Sequence, residues 1–152
     1  MSIFHGMNIT SSALTAQRLR MDVVSSNMAN VESTRGRIVN GEWEPYRKKA
    51  VVLQPKQGGF SSYLNQAIGR QNDGPGNGVK VTKIVEDDLT PFKMVYDPVH
   101  PDANEEGYVR MPNVDPLREM VDLMAATRSY EANVTVFNAS KAMMTKALEI
   151  GK

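Results

Sequence analysis

The 152-residue chain contains no cysteine, which excludes thiol catalysis, disulfide staples and zinc sites built on thiolates. The absence also suits work in an oxidising or extracellular space, where stray disulfides would otherwise form. No apolar run approaches the roughly 20 residues of a membrane span. Neither sign of charge is in excess: 18 Lys and Arg stand against 17 Asp and Glu, without a long run of either. Nucleic acid and membrane surfaces both favour a basic excess, so neither is expected as the main partner. The opening residues, Met-Ser-Ile-Phe-His-Gly-Met-Asn, lack a basic stretch followed by an apolar core, and no Sec-type signal is read there.

Proline and glycine are missing from most of the two ends. All eight prolines lie between Pro45 and Pro116 and nine of the eleven glycines between Gly36 and Gly107, whereas eight of the ten methionines lie in the terminal stretches. The length suits a single ordinary core, and composition divides it into an N-terminal arm (1–32), a middle (33–112) and a C-terminal arm (113–152).

The C-terminal arm is the stretch that organises the chain. Asp115 can cap a helix and Pro116 fits its first position. From Leu117 to Ile150 no Gly or Pro interrupts it, giving about 50 Å of helix at 1.5 Å per residue. Leu123, Tyr130, Phe137 and Met144 repeat every seven residues; Met120, Val134 and Leu148 form a companion row, broken by Thr127 and Lys141. The N-terminal arm carries the same rhythm from about Ser12 to Val31, with Leu14, Met21 and Met28 in one row and Gln17, Val24 and Val31 in the other. Matching periods at opposite ends of one chain predict an antiparallel coiled coil. Ser25, Ser26, Asn27 and Asn30 make the shorter arm marginal alone. By period alone the two stripes also fit an ordinary bundle core, but the chain has too little other helix to cover them.

The middle reads as short strands between turns: Lys49–Leu53, Val79–Val85, Phe92–Tyr96 and Tyr108–Met111. Phe60–Ile68 fits a short helix or an extended loop, and 71–78 a Gly-rich loop. The fold class is therefore α+β, two long terminal helices around a small β-rich insert. Its candidate chemistry is thin. Gly74 to Gly78 resembles a phosphate cradle, yet no Gly-Lys-Ser/Thr follows. Asp102, Asn104 and Glu106 begin like a calcium loop, but its twelfth position is Asn113 instead of a bidentate Glu. Asp97, His100 and Asp102 could offer metal ligands, although Pro98 and Pro101 between them favour a hydrogen-bonded turn. No Ser/His/Asp spacing suggests a triad, and no catalytic residue, cofactor or metal is assigned.

Three separated segments carry a resemblance. Ala13-Leu14 with Gln17, followed by Asn27-Met28-Ala29-Asn30, resembles the N-terminal signature of bacterial flagellar rod and hook proteins, in which Leu is usual at the place of Met28. Tyr96-Asp-Pro-Val-His-Pro-Asp through Pro112-Asn-Val114 is similar to the hallmark of the proximal-rod members of that family, with Val99 where Gly is usual. Met120-x-x-Leu-Met-x-Ala-x-Arg-Ser-Tyr-Glu-Ala-Asn133 resembles its C-terminal helix. The resemblance spans the chain. It implies a structural subunit of the rod, located in the basal body within the cell envelope and exported through the flagellar type III apparatus without a cleaved signal. It also implies as partners copies of the same chain, other rod subunits, the rod-base adaptor and the export apparatus, and no nucleic acid or small-molecule substrate.

The assembly seam read from the rows is Leu14, Gln17, Met21, Val24, Asn27, Met28, Asn30 and Val31 with Leu123, Tyr130, Val134, Phe137, Met144 and Leu148. Asn27 and Asn30 are expected to hydrogen-bond across the packed assembly and fix register. Arms that no single chain can cover would stay partly disordered until neighbours cover them. Two rival readings are another axial subunit, such as the hook, and a secreted metal-dependent enzyme using Asp97, His100 and Asp102.

Overall fold

A computed structural model describes residues 4–56, 64, 67–69 and 76–150. The order is α1 (His5–Ala29), β1 (Arg37–Val39), β2 (Glu42–Glu44), β3 (Lys49–Pro55), β4 (Val79–Glu86), β5 (Lys93–Tyr96), β6 (Tyr108–Met111) and α2 (Pro116–Ile150). This is the α+β arrangement of two terminal helices around small sheets. Among the described residues the strands pair in three two-stranded ladders, β1–β2, β3–β4 and β5–β6.

The boundaries of α2 follow its sequence. Asp115 Oδ1 accepts the Leu117 N–H at 3.1 Å, and its carbonyl accepts Glu119 N–H at 3.0 Å, so the expected cap is in place and Pro116 opens the helix. α1 begins earlier than the expected Ser12, at His5. Thr10, Ser12 and Thr15 turn their hydroxyls back onto the carbonyls of Gly6, Ile9 and Ser11, so these polar residues lie inside the helix and do not cap it. α1 ends where the Asn30 side chain bonds the Ser26 carbonyl at 2.8 Å and Oδ1 accepts Ser33 Oγ at 3.1 Å.

Three of the four strands read in the sequence differ from it by a residue or two at an end, and β6 matches. The β1–β2 hairpin was not anticipated. It pairs Arg37 with Glu44, Ile38 with Trp43 and Val39 with Glu42. Asn40 and Gly41 turn it with φ of 54° and 90°, the conformation that a two-residue primed turn needs. Of the stretch 60–68 read as helix or loop, only Leu64, Ala67 and Ile68 are described; the Ile68 N–H bonds the Leu64 carbonyl. The rest of it, and 71–75 of the Gly-rich loop, lie outside the described residues.

The chain gathers into two compact units. One comprises Met1–Leu19, Val52–Lys83 and Thr127–Lys152, the other Arg20–Val51 and Ile84–Ala126. In the first, Ser12 Oγ accepts the Val79 N–H at 3.1 Å, and Lys56 N–H bonds the Gly78 carbonyl. The second holds the buried apolar residues Val23, Val24, Val109, Val114 and Ala126. These are small side chains. Among the largest fully buried residues of the described chain are Glu119 and Asn27, so polar groups carry much of what holds this unit together.

Candidate assembly surface and its internal clamp

Asn27 lies in the last turns of α1 and is 1% exposed. Its Nδ2 donates to the Lys49 carbonyl at 2.9 Å and to Glu119 Oε2 at 3.0 Å. Its Oδ1 accepts the Lys49 N–H at 2.9 Å and the Tyr46 hydroxyl at 3.0 Å. An amide side chain has two donors and two acceptor sites, and all four are used. Glu119, also 1% exposed, takes the Lys48 ammonium at 2.5 Å on Oε1 as an ion pair, with no regular hydrogen bond on that oxygen. One side chain thus joins the end of α1, the entry to β3 and the first turn of α2. In the single chain Asn27 makes these four bonds, and Asn30 bonds the Ser26 carbonyl and the Ser33 hydroxyl. In the sequence Glu119 reads as solvent-facing, as a charged residue within an amphipathic helix does, and no local pattern marks Tyr46 or Lys48 between β2 and β3.

Around this clamp, Asn113 Oδ1 accepts the Lys48 N–H at 2.8 Å while its amide donates to the Asp87 and Thr90 carbonyls. The residue that occupies the closing position of a calcium loop is therefore a structural tie. Arg37 bridges Glu44 and Glu86, and Arg47 reaches Glu44 at 2.9 Å and lies 4.5 Å from the centre of the Phe92 ring. Hydrogen bonds from Arg47 and Arg37 hold the Glu44 carboxyl below the usual carboxylate range. Asp102 is likewise lowered, by Arg35 and then Thr34; Arg35 Nη2 donates to it at 2.6 Å and Thr34 Oγ1 at 2.8 Å. His100 Nδ1 accepts the Asp102 N–H at 3.1 Å, and Asp97 Oδ1 the Val99 N–H. His100 is the turn residue that its flanking prolines suggested, and Asp102 faces a guanidinium. Among the described residues no three His, Asp or Glu side chains gather as metal ligands.

The seam residues are distributed as follows. Leu14, Gln17, Met21 and Met28 are half-buried along α1 and Asn30 and Val31 just beyond its end, while Val24 and Asn27 are buried. On α2 the row Leu123, Tyr130, Val134, Phe137 and Met144 is half-buried. Leu148 is 76% exposed, as is half of Met120. Early in α2 Glu119 and Ala126 take the inner positions, while Val134 of the companion row is half-buried farther along. In the first unit, Phe4, Gly6 and Met7 line one apolar cleft of about 600 Å³ with Ser140, Met143, Met144, Ala147 and Leu148.

Of the 35 residues of α2 only Glu119 and Ala126 are buried. A second apolar set faces outward: Leu117 is 75% exposed, Met120 51%, Val121 59% and Met124 55%. Their spacing places them on one side of two successive turns. Val136, Met143 and Ile150, each seven apart, are exposed farther along. A helix apolar on two sides, with one of them bare, is the form of a surface awaiting a neighbour.

The comparisons agree with that form. Residues 7–36 match the family model "Flagella basal body rod protein", and residues 105–150 match "Flagellar basal body rod FlgEFG protein C-terminal". These two segments hold α1 and its exit, and the β6–α2 passage. The chain is 63% identical over its full length to the whole flagellar basal-body rod protein FlgC of Bacillus subtilis. It is 43% identical to that of Escherichia coli O157:H7, again over both full lengths, and 42% identical to that of Borreliella burgdorferi over 99% of this chain and 98% of the relative. With the bare helix face, the terminal signatures and full-length identity all in accord, this chain belongs to the flagellar basal-body rod proteins.

Proposed function

We propose that the chain is a structural subunit of the proximal flagellar rod that polymerises through its terminal helices, with no catalytic role. The observation that carries this is α2, a 35-residue helix with two buried residues and an outward row of Leu117, Met120, Val121 and Met124. Covering such a row in a head-to-tail contact that does not close generates a helical filament. Methionine suits the row, because its flexible thioether repacks against non-identical partners. Copies of the chain and other rod subunits are those partners, with the rod-base adaptor at one end. Passage through the type III export apparatus, without a cleaved signal, precedes assembly.

The half-buried rows pair α1 with α2 as an antiparallel coiled coil in this reading: Leu14, Gln17, Met21, Val24, Met28 and Val31 against Leu123, Tyr130, Val134, Phe137 and Met144. Two contacts support it, each inside one unit: Asn27 on Glu119, and Phe4 and Met7 beside Met144 and Leu148. Leu148 extends the seam to a neighbour.

The test replaces Val121 and Met124 with Glu in a strain lacking its own copy. Both side chains are exposed, so the variant folds with an unchanged far-UV spectrum, whereas basal bodies isolated from it lack a completed rod and the cells do not swim. Normal swimming and normal rods would contradict the reading.

A further inference from the structure

The unit that contains the clamp also carries two surfaces of opposite charge. A cleft of about 240 Å³ opens beside Asn27, lined by Arg20, Lys48, Lys49, Arg118, Glu119 and Asp122 among others. Lys48 is neutralised by Glu119. That leaves Arg20, Lys49 and Arg118 facing one carboxylate, Asp122. Among the described residues neither Arg20 nor Arg118 forms an ion pair, and Lys49 has only the Tyr46 ring 5.5 Å from its ammonium. The loop between β5 and β6 has the complementary character. Its Asp102 is satisfied by Arg35, while the carboxylates of Glu105 and Glu106 are exposed and have no cation among the described residues. The backbone beneath them is fixed: Asn104 Oδ1 accepts the N–H groups of Glu106 and Tyr108 at 3.1 and 2.8 Å.

We propose that the cleft of Arg20, Lys49 and Arg118 receives the acidic loop of a second copy of this chain, through Glu105 and Glu106. The inference rests on the rod-subunit reading and adds a contact in which the β5–β6 loop meets a cleft that both terminal helices help to line. Cations and carboxylates that are unpaired in one chain become paired between two. Cleft and loop are different surfaces, so the contact is heterologous, the head-to-tail kind that builds a helical filament when its rotation does not close. Because the loop is held by Asn104 and by the Arg35–Asp102 pair, little ordering is lost on docking.

The absence of native cysteine provides the test. Asp122→Cys, in the cleft, and Glu105→Cys, on the loop, are introduced together into the full chain in cells lacking the native copy, and isolated basal bodies are oxidised. Disulfide-linked dimers and higher ladders of this chain, absent with either cysteine alone, are expected. Arg118→Glu or Glu106→Arg, each added to the cysteine pair, lowers the dimer yield several-fold, and the two reversals combined restore it. Basal bodies that contain the double-cysteine chain only as monomer, or linked to a different subunit, would overturn the proposal, as would a yield indifferent to charge reversal. Absence of the chain from basal bodies would instead overturn the rod reading beneath it.

Discussion

Asn27 shows how one amide can organise a unit that has few large apolar side chains to bury. Its four hydrogen bonds satisfy the backbone of Lys49 in both directions, and its neighbour Glu119 depends on it and on Lys48. Asn27→Leu keeps the approximate volume but leaves the Lys49 amide, the Tyr46 hydroxyl and the buried Glu119 carboxylate short of partners. Each unsatisfied buried group costs about 1–3 kcal/mol, so the variant should lose about 3 kcal/mol or more in urea denaturation. A change within ~0.5 kcal/mol, as at an ordinary surface site, would sink the clamp. Acidification tests a second feature. The folded carboxyls of Asp102 and Glu44 titrate below their unfolded values, near about 3.9 and 4.3. The unfolded chain therefore takes up protons first as pH falls. Their contribution is complete above the unfolded values and fades as pH drops through them towards the folded ones. The urea midpoint should fall between about pH 5 and 3, less steeply in Asp102→Asn; an identical slope in that variant would contradict the assignment.

Among the elements, the β1–β2 hairpin and the passage behind it are the most sensitive to backbone change. A β-carbon on Gly36 would lie 2.7 Å from the Tyr46 backbone nitrogen, which cannot yield as a flexible side chain would. Gly36→Ala should push Tyr46 from Asn27 and broaden the thermal transition, and the single Trp43 in β2 reports it by fluorescence. An unaltered transition would mean that the hairpin and the clamp are uncoupled. Part of this was legible in sequence. Asn40-Gly41 between Arg37-Ile-Val39 and Glu42-Trp-Glu44 is a strong short-range hairpin signal, although each strand spans only three residues. α2 was legible in full, since Asp115-Pro116 starts it and no breaker follows until Gly151. The inner row of α2 was legible only in part. Glu119 is inside because Lys48 and Asn27, 71 and 92 positions away in sequence, meet it there. No local period records such a partner.

For the whole molecule, the terminal signatures in the sequence indicated a rod protein, and full-length identity to rod proteins of several bacteria establishes the family. Which face of α2 remains bare was not legible, because periodicity marks apolar rows without saying which the chain itself covers. In the proposed rod, neighbouring subunits cover that face. The most direct measurement is methionine oxidation by dilute peroxide, read by mass spectrometry at Met120 and Met124, in the free chain and in isolated basal bodies. Both are more than half exposed in the single chain, and exposed thioethers oxidise readily. Rapid oxidation in the free chain and strong protection in the basal body is the predicted result. Equal oxidation in both would contradict the account, since the helix face would then remain bare in the assembled rod.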